Sequence, residues 1–103
     1  MRNFFNELHQ SALVSCVELV LMNESNTKYH LVVAKLRSYD ATIMDSYNRM
    51  DYLKIILKEV YLDDYIRIIN DIKMCLGDLV EEKDISEFFK FMEIWHMSYC
   101  SKV

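Results

Sequence analysis

The chain has 103 residues with a formal net charge of -4, and 52% of them are hydrophobic, above the ~45–50% typical of soluble domains. This length makes one helical domain (residues 1–103) that buries about two thirds of its unfolded surface, and the apolar excess leaves surface to be covered by a second subunit or a partner. One Gly and no Pro exclude a fold built on hairpins, the aliphatic and aromatic content excludes disorder, and the acidic balance makes a poor general nucleic-acid binder.

The spacing predicts a first helix from Asn3 to Met22 with Asn3 as its cap. Phe5, Leu8, Ala12, Cys16, Leu19 and Val20 form one stripe, and Leu13, Val17 and Leu21 form a second beside it, so the later half is apolar around much of its circumference. The polar run Asn23 to Thr27 reads as the connection, with Asn26 or Thr27 capping a second helix over Lys28 to Ser38. His30-Leu31-Val32-Val33 has the β-branched content of a short strand, but no alternating partner strand is visible elsewhere, so helix is preferred. Tyr39 to Asn48 reads as a loop in which Ile43 and Tyr47 turn inward and Asp40 or Asp45 caps the next turn.

Tyr52 to Leu76 is the apolar centre of the chain. A third helix over Arg49 to Tyr61 and a fourth over Asp63 to Leu76 are predicted, with Asp63 and Asp64 at the positive end of the fourth. Leu57, Tyr61, Tyr65, Ile68 and Ile72 keep phase straight through, so one long helix is the alternative. Gly77, the only Gly, follows an apolar helical run, where a left-handed C-terminal cap belongs. Asp84-Ile85-Ser86-Glu87 has the form of a capping box opening a fifth helix over Ile85 to Tyr99. Ile85, Phe88, Phe89, Met92, Trp95 and Tyr99 share a face of it, while Phe91, Ile94 and Met97 lie away from that face. The expected architecture is all-α, a compact bundle of about five helices.

No residue set carries catalysis or a cofactor. Walker A glycines, GxGxxG, HExxH and GxSxG are all missing, and adjacent carboxylates such as Asp63-Asp64 and Glu81-Glu82 point about 100° apart on a helix, which suits capping and solvation. His96 and Cys100 stand four apart, as a metal pair would, but His9, Cys16, His30 and Cys75 supply no second pair, so no metal site is predicted. Cys16, Cys75 and Cys100 are odd in number and lack a CxxC, which reads as reduced thiols. No signal-peptide pattern is present, and the apolar run Ala12 to Met22 falls short of the ~20 residues that span a bilayer, so a cytoplasmic chain without a membrane segment is expected.

The expected function is therefore non-enzymatic: a protein–protein interaction module, regulatory in character, that forms a homodimer or binds a protein partner. The contact residues would be Phe91, Ile94, Trp95 and Met97 on helix five and Leu13 and Val17 on the flank of helix one. Charge adds two alternatives. Residues 28 to 58 hold six Lys/Arg against three acids, and residues 59 to 103 hold five against ten. Arg49, Lys54 and Lys58 would make helix three the basic face of a nucleic-acid-binding regulator, or the acidic half from Glu59 onward would let a small inhibitor from a mobile element occupy a basic site on a host protein.

Asp45-Ser46-Tyr47, Tyr52-Leu53-Lys54, Leu57-Lys58-Glu59-Val60-Tyr61, Tyr65, Ile68-Ile69, Ile72-Lys73, Leu76-Gly77-Asp78-Leu79, Ile85 and Phe88-Phe89 together resemble a small helical domain common in proteins of ammonia-oxidising archaea, over roughly residues 28 to 92. The resemblance implies an output or accessory module of signalling proteins and no catalytic residues. This chain departs from the pattern in having Met50 where Pro is common, Leu62 where Gly is common and Ser46 where Cys is common. The first two departures fall at the start of helix three and at the break before helix four.

Overall fold

The computed structural model describes residues 4–45 and 48–102, with side chains described for residues 7–45 and 48–93. Among these residues the chain forms five α-helices and no strand: α1 Phe4–Glu24, α2 Asn26–Arg37, α3 Met50–Tyr61, α4 Tyr65–Leu76 and α5 Lys83–Lys102. Short 3-10 turns at Ile43–Asp45, Leu62–Asp64 and Gly77–Glu81 join them. The radius of gyration, 13.2 Å, matches the ~13 Å of a compact domain of this length, so the all-α bundle expected from periodicity is the fold observed.

The connections differ from expectation in instructive ways. Asn23 to Thr27 is almost wholly helical, because Ser25 alone turns the chain. Its backbone is extended at φ -169°, and its hydroxyl accepts from the Lys28 amide at 3.2 Å. A serine N-cap satisfies the new helix without any loop. In the segment before α3, Ile43 is buried as expected, while Tyr47 lies outside the described residues. Asp45 caps backward, accepting from the Thr42 amide at 3.0 Å, and Arg49 takes the N-cap place of α3 without a side-chain capping bond.

α3 and α4 are separate helices. The break is made at Leu62 (φ 48°, ψ -117°), whose amide donates to the Lys58 carbonyl. Asp64 takes the N-cap place of α4 but makes no capping bond, and Asp63 and Asp64 lie within the 3-10 turn. Gly77 ends α4 with the positive φ expected of it, 61°, but its ψ of -128° lies outside the left-handed helical region in which the cap was expected. The capping box is not formed. α5 starts at Lys83, so Asp84 stands inside its first turn, and Glu82 precedes the helix with extended backbone.

α1 lies antiparallel to α4, with Arg67 gripping Glu24 through two bonds of 2.8 and 2.9 Å. α2 and α3 form a second antiparallel pair, marked by Lys35–Glu59 at 3.3 Å and by Tyr39 stacked on Tyr52 at 4.7 Å between ring centres. The core is one continuous cluster, to which α1 gives Leu13, Val17 and Leu21, α3 Leu53, Ile56 and Leu57, α4 Ile68, Ile69 and Ile72, and α5 Ile85, Phe88 and Met92. Each fully buried side chain of this size contributes about 1.5–3 kcal/mol of transfer free energy.

Candidate functional site

Leu13 and Val17 were expected on an outer flank and instead are fully buried core residues, since they lie on the side of α1 that meets the other helices. Phe91 is at the surface, 36% exposed, but it also serves the interior. Its carbonyl accepts from the Lys54 ammonium, which stands 4.0 Å from the centre of its ring. The side chains of Ile94, Trp95 and Met97 lie outside the described residues. Their backbone continues α5 past Met92.

The surface that α1 does turn outward is of a different kind. Leu8, Leu19 and Met22 are exposed at 76, 53 and 42%, and Ser11 and Ser15 lie exposed between them. From Leu8 to Asn23 the only carboxylate is Glu18, and the Tyr29 hydroxyl donates to it at 3.0 Å from α2. A solvent-facing helical strip of about four turns ordinarily carries Lys, Arg or Glu, and this one carries none. Leu8 and Leu19 fit an inward stripe on spacing alone. The signal in the sequence is Ser11 and Ser15 set among residues without charge.

The basic face expected on α3 does not exist as a unit. Lys54 is only 2% exposed, because it falls on the stripe Met50, Lys54, Leu57, Tyr61 that turns toward the core. Burial, with the Lys58 charge as a smaller cause, pushes its ammonium down to about 8. Arg49 lies 4.0 Å over the Tyr52 ring and 3.4 Å from Asp51, and Lys58 stands 4.9 Å from the Tyr65 ring centre. These cations are engaged with neighbours in three different directions.

Two polar contacts in the interior were not foreseen. Asp84, 7% exposed, accepts from His9 at 2.8 and 2.9 Å and from the Ile85 amide at 2.9 Å. A buried carboxylate only accepts, so His9 carries its proton on Nδ1. The Tyr65 hydroxyl donates to the Met92 carbonyl at 3.0 Å, whereas the buried Tyr61 hydroxyl has no hydrogen-bond partner among the described residues. Burial pushes both phenols up, Tyr61 to about 12.

Of the residues weighed as metal ligands, His9 is held by Asp84, His30 is exposed, Cys16 lies beside Cys75, and the side chains of His96 and Cys100 are outside the described residues. Among the described residues no three His, Cys, Asp or Glu side chains group as metal ligands do. Two surface pockets, of about 270 and 230 Å³, are lined by Glu7, Gln10, Ser11, Val14 and Met44 and by Val20, Asn23, Glu24 and Asp71. Both fall below the ~300–1,000 Å³ of small-molecule sites. No described helix is long and apolar enough to cross a membrane. No protein-family model, no curated protein and no solved structure matches this chain.

Proposed function

We propose that this domain is a non-enzymatic interaction module, regulatory in setting, that works by self-association through the outward face of α1. The observation that carries the reading is the uncharged exposed strip Leu8, Ser11, Ser15, Leu19 and Met22. In a two-fold interface the same patch meets itself, so any charge on it opposes its own copy. This strip has none, whereas the half of the chain from Glu59 onward is strongly acidic and repels a copy. The apolar residues Ile94, Trp95 and Met97 in the last turns of α5 supply a second contact.

Full burial of Leu8, Leu19 and Met22 yields at most about 2–3 kcal/mol each, and association costs about 4–15 kcal/mol. A face of this size supports a weak, reversible dimer, with dissociation on the order of micromolar or weaker. Sedimentation equilibrium over a concentration series tests it. Leu8→Lys with Leu19→Lys is expected to weaken self-association at least tenfold while circular dichroism keeps its helical signal. A native protein that stays monomeric near 1 mM removes the proposal.

A further inference from the structure

α1 and α4 share the most extensive helix–helix contact of the bundle. Glu24 and Arg67 meet across it at 2.8 Å, and beyond its other end His9 meets Asp84 at 2.8 Å. Eight residues back from Glu24 is Cys16 and eight residues forward from Arg67 is Cys75, so the antiparallel register brings the two cysteines level, about 12 Å along the seam from the ion pair. The thiols are near enough to interact. Both are reduced, Cys75 exposed and Cys16 half-buried.

We propose that Cys16 and Cys75 form a dithiol site that closes to a disulfide by exchange with a small disulfide of the glutathione class, pinning α1 to α4. The exposed Cys75 is the entry point. Its thiolate attacks one sulfur of the incoming disulfide, whose S–S bond breaks, and one small thiolate leaves and takes up a proton. The Cys16 thiolate then attacks the Cys75 sulfur of the mixed disulfide and expels the second small thiolate, leaving the Cys16–Cys75 bond. The two protein thiols have lost two electrons and two protons, and the incoming disulfide has gained them as two small thiols. Burial pushes the Cys16 thiol up to about 12, with Cys75 adding to the rise, so closure runs on a small thiolate fraction and is the slow step. Its rate rises about tenfold per pH unit between pH 7 and 9.

The test treats the unmodified chain with oxidised glutathione at pH 7, 8 and 9, quenches with acid and an alkylating agent, and maps the products by mass spectrometry after digestion. A transient one-glutathione adduct on Cys75 is expected, giving way to a cross-link between the Cys16 and Cys75 peptides and to a melting temperature about 10 °C higher. Cys16→Ser is expected to stop at the Cys75 adduct, with a native circular dichroism spectrum showing that the substitution leaves the fold intact. An adduct on Cys75 that persists in the unmodified chain overturns the proposal. So does a cross-link to Cys100 in its place, no reaction at Cys75, or an oxidised form that melts lower than the reduced one.

Discussion

α3 and α4 are two versions of one design. Each is twelve residues long, each is stopped by a residue of positive φ whose amide donates to the carbonyl of a Lys four positions back, and in each an Asp follows the stop. Fifteen residues relate them: Leu62 corresponds to Gly77, and Lys54 to Ile69. α4 carries the residues that the backbone and the core favour. α3 carries a Leu in a conformation that suits Gly and a Lys where a hydrophobe fits. A helix stop and a core position are thus defined by the surrounding structure, and α3 shows that both hold with the less suitable side chain in place.

Replacing the buried cation is the largest way to sharpen this contrast. Lys54→Met is expected to stabilise the protein by about 2 kcal/mol at pH 7, because the native state no longer holds a desolvated ammonium. The sign follows from the depressed value of about 8. Between about pH 8 and 10.5 the unfolded chain binds that proton more tightly than the native one, so this group's contribution to stability increases as pH rises, and the penalty is complete below about 8. The advantage of the variant therefore narrows as pH is raised from 8 toward 10. Cys16, Tyr61 and Tyr65, all pushed up, lose stability at high pH and act in the opposite sense, so the comparison is between native and variant urea curves at each pH. An equal difference at pH 7 and 9.5 contradicts it.

The two stops come next. A Cβ at Gly77 meets no atom within 4 Å, so Gly77→Ala changes backbone preference alone and is expected to cost about 1–2 kcal/mol. Leu62→Gly runs the other way. Leu62 is 70% exposed and gives up little burial, so a gain of about 1 kcal/mol is expected, visible as a rise of roughly 4–8 °C in melting temperature. If Gly77→Ala is neutral, the positive-φ argument fails at both positions. The smallest effect separates the tyrosines. Tyr65→Phe loses its bond to Met92 and is expected to cost about 1 kcal/mol, while Tyr61→Phe removes a hydroxyl without a partner and is expected to be neutral or slightly stabilising by thermal melting.

The helices were legible because the 3.6-residue apolar period runs through every one of them, Val32 and Leu36 of α2 included. The stop at Gly77 was legible from the residue, and the break at Leu62 only from Asp63 and Asp64 after it, since nothing in Leu itself asks for positive φ. Lys54 was in plain view on the stripe of Met50, Leu57 and Tyr61, but its charge argued for solvent and outweighed its phase. The outward face of α1 was harder still. A helix apolar on most sides does not reveal which side is covered, and only the packing of α2, α4 and α5 against α1 decides it. His9 and Asp84 lie 75 residues apart, beyond the reach of any local pattern.

That separation has a bearing on the order in which the fold is made. α1, α2 and α3 are successive in the chain, joined by Ser25 and by residues 38–49, and dock on one another at little cost in loop closure. The part of α1 that meets α4 waits for that helix, and the carboxylate that holds His9 arrives only with the first turn of α5. We expect pulsed hydrogen exchange during refolding to protect the α2–α3 amides before those of the first turns of α1. While His9 waits, α1 lacks the cover that α4 and α5 supply, and it is apolar on more than one face. Aggregation during folding is therefore expected to begin at α1, and a variant such as Ser15→Lys, which touches no core residue, is expected to raise the refolding yield by placing a charge there.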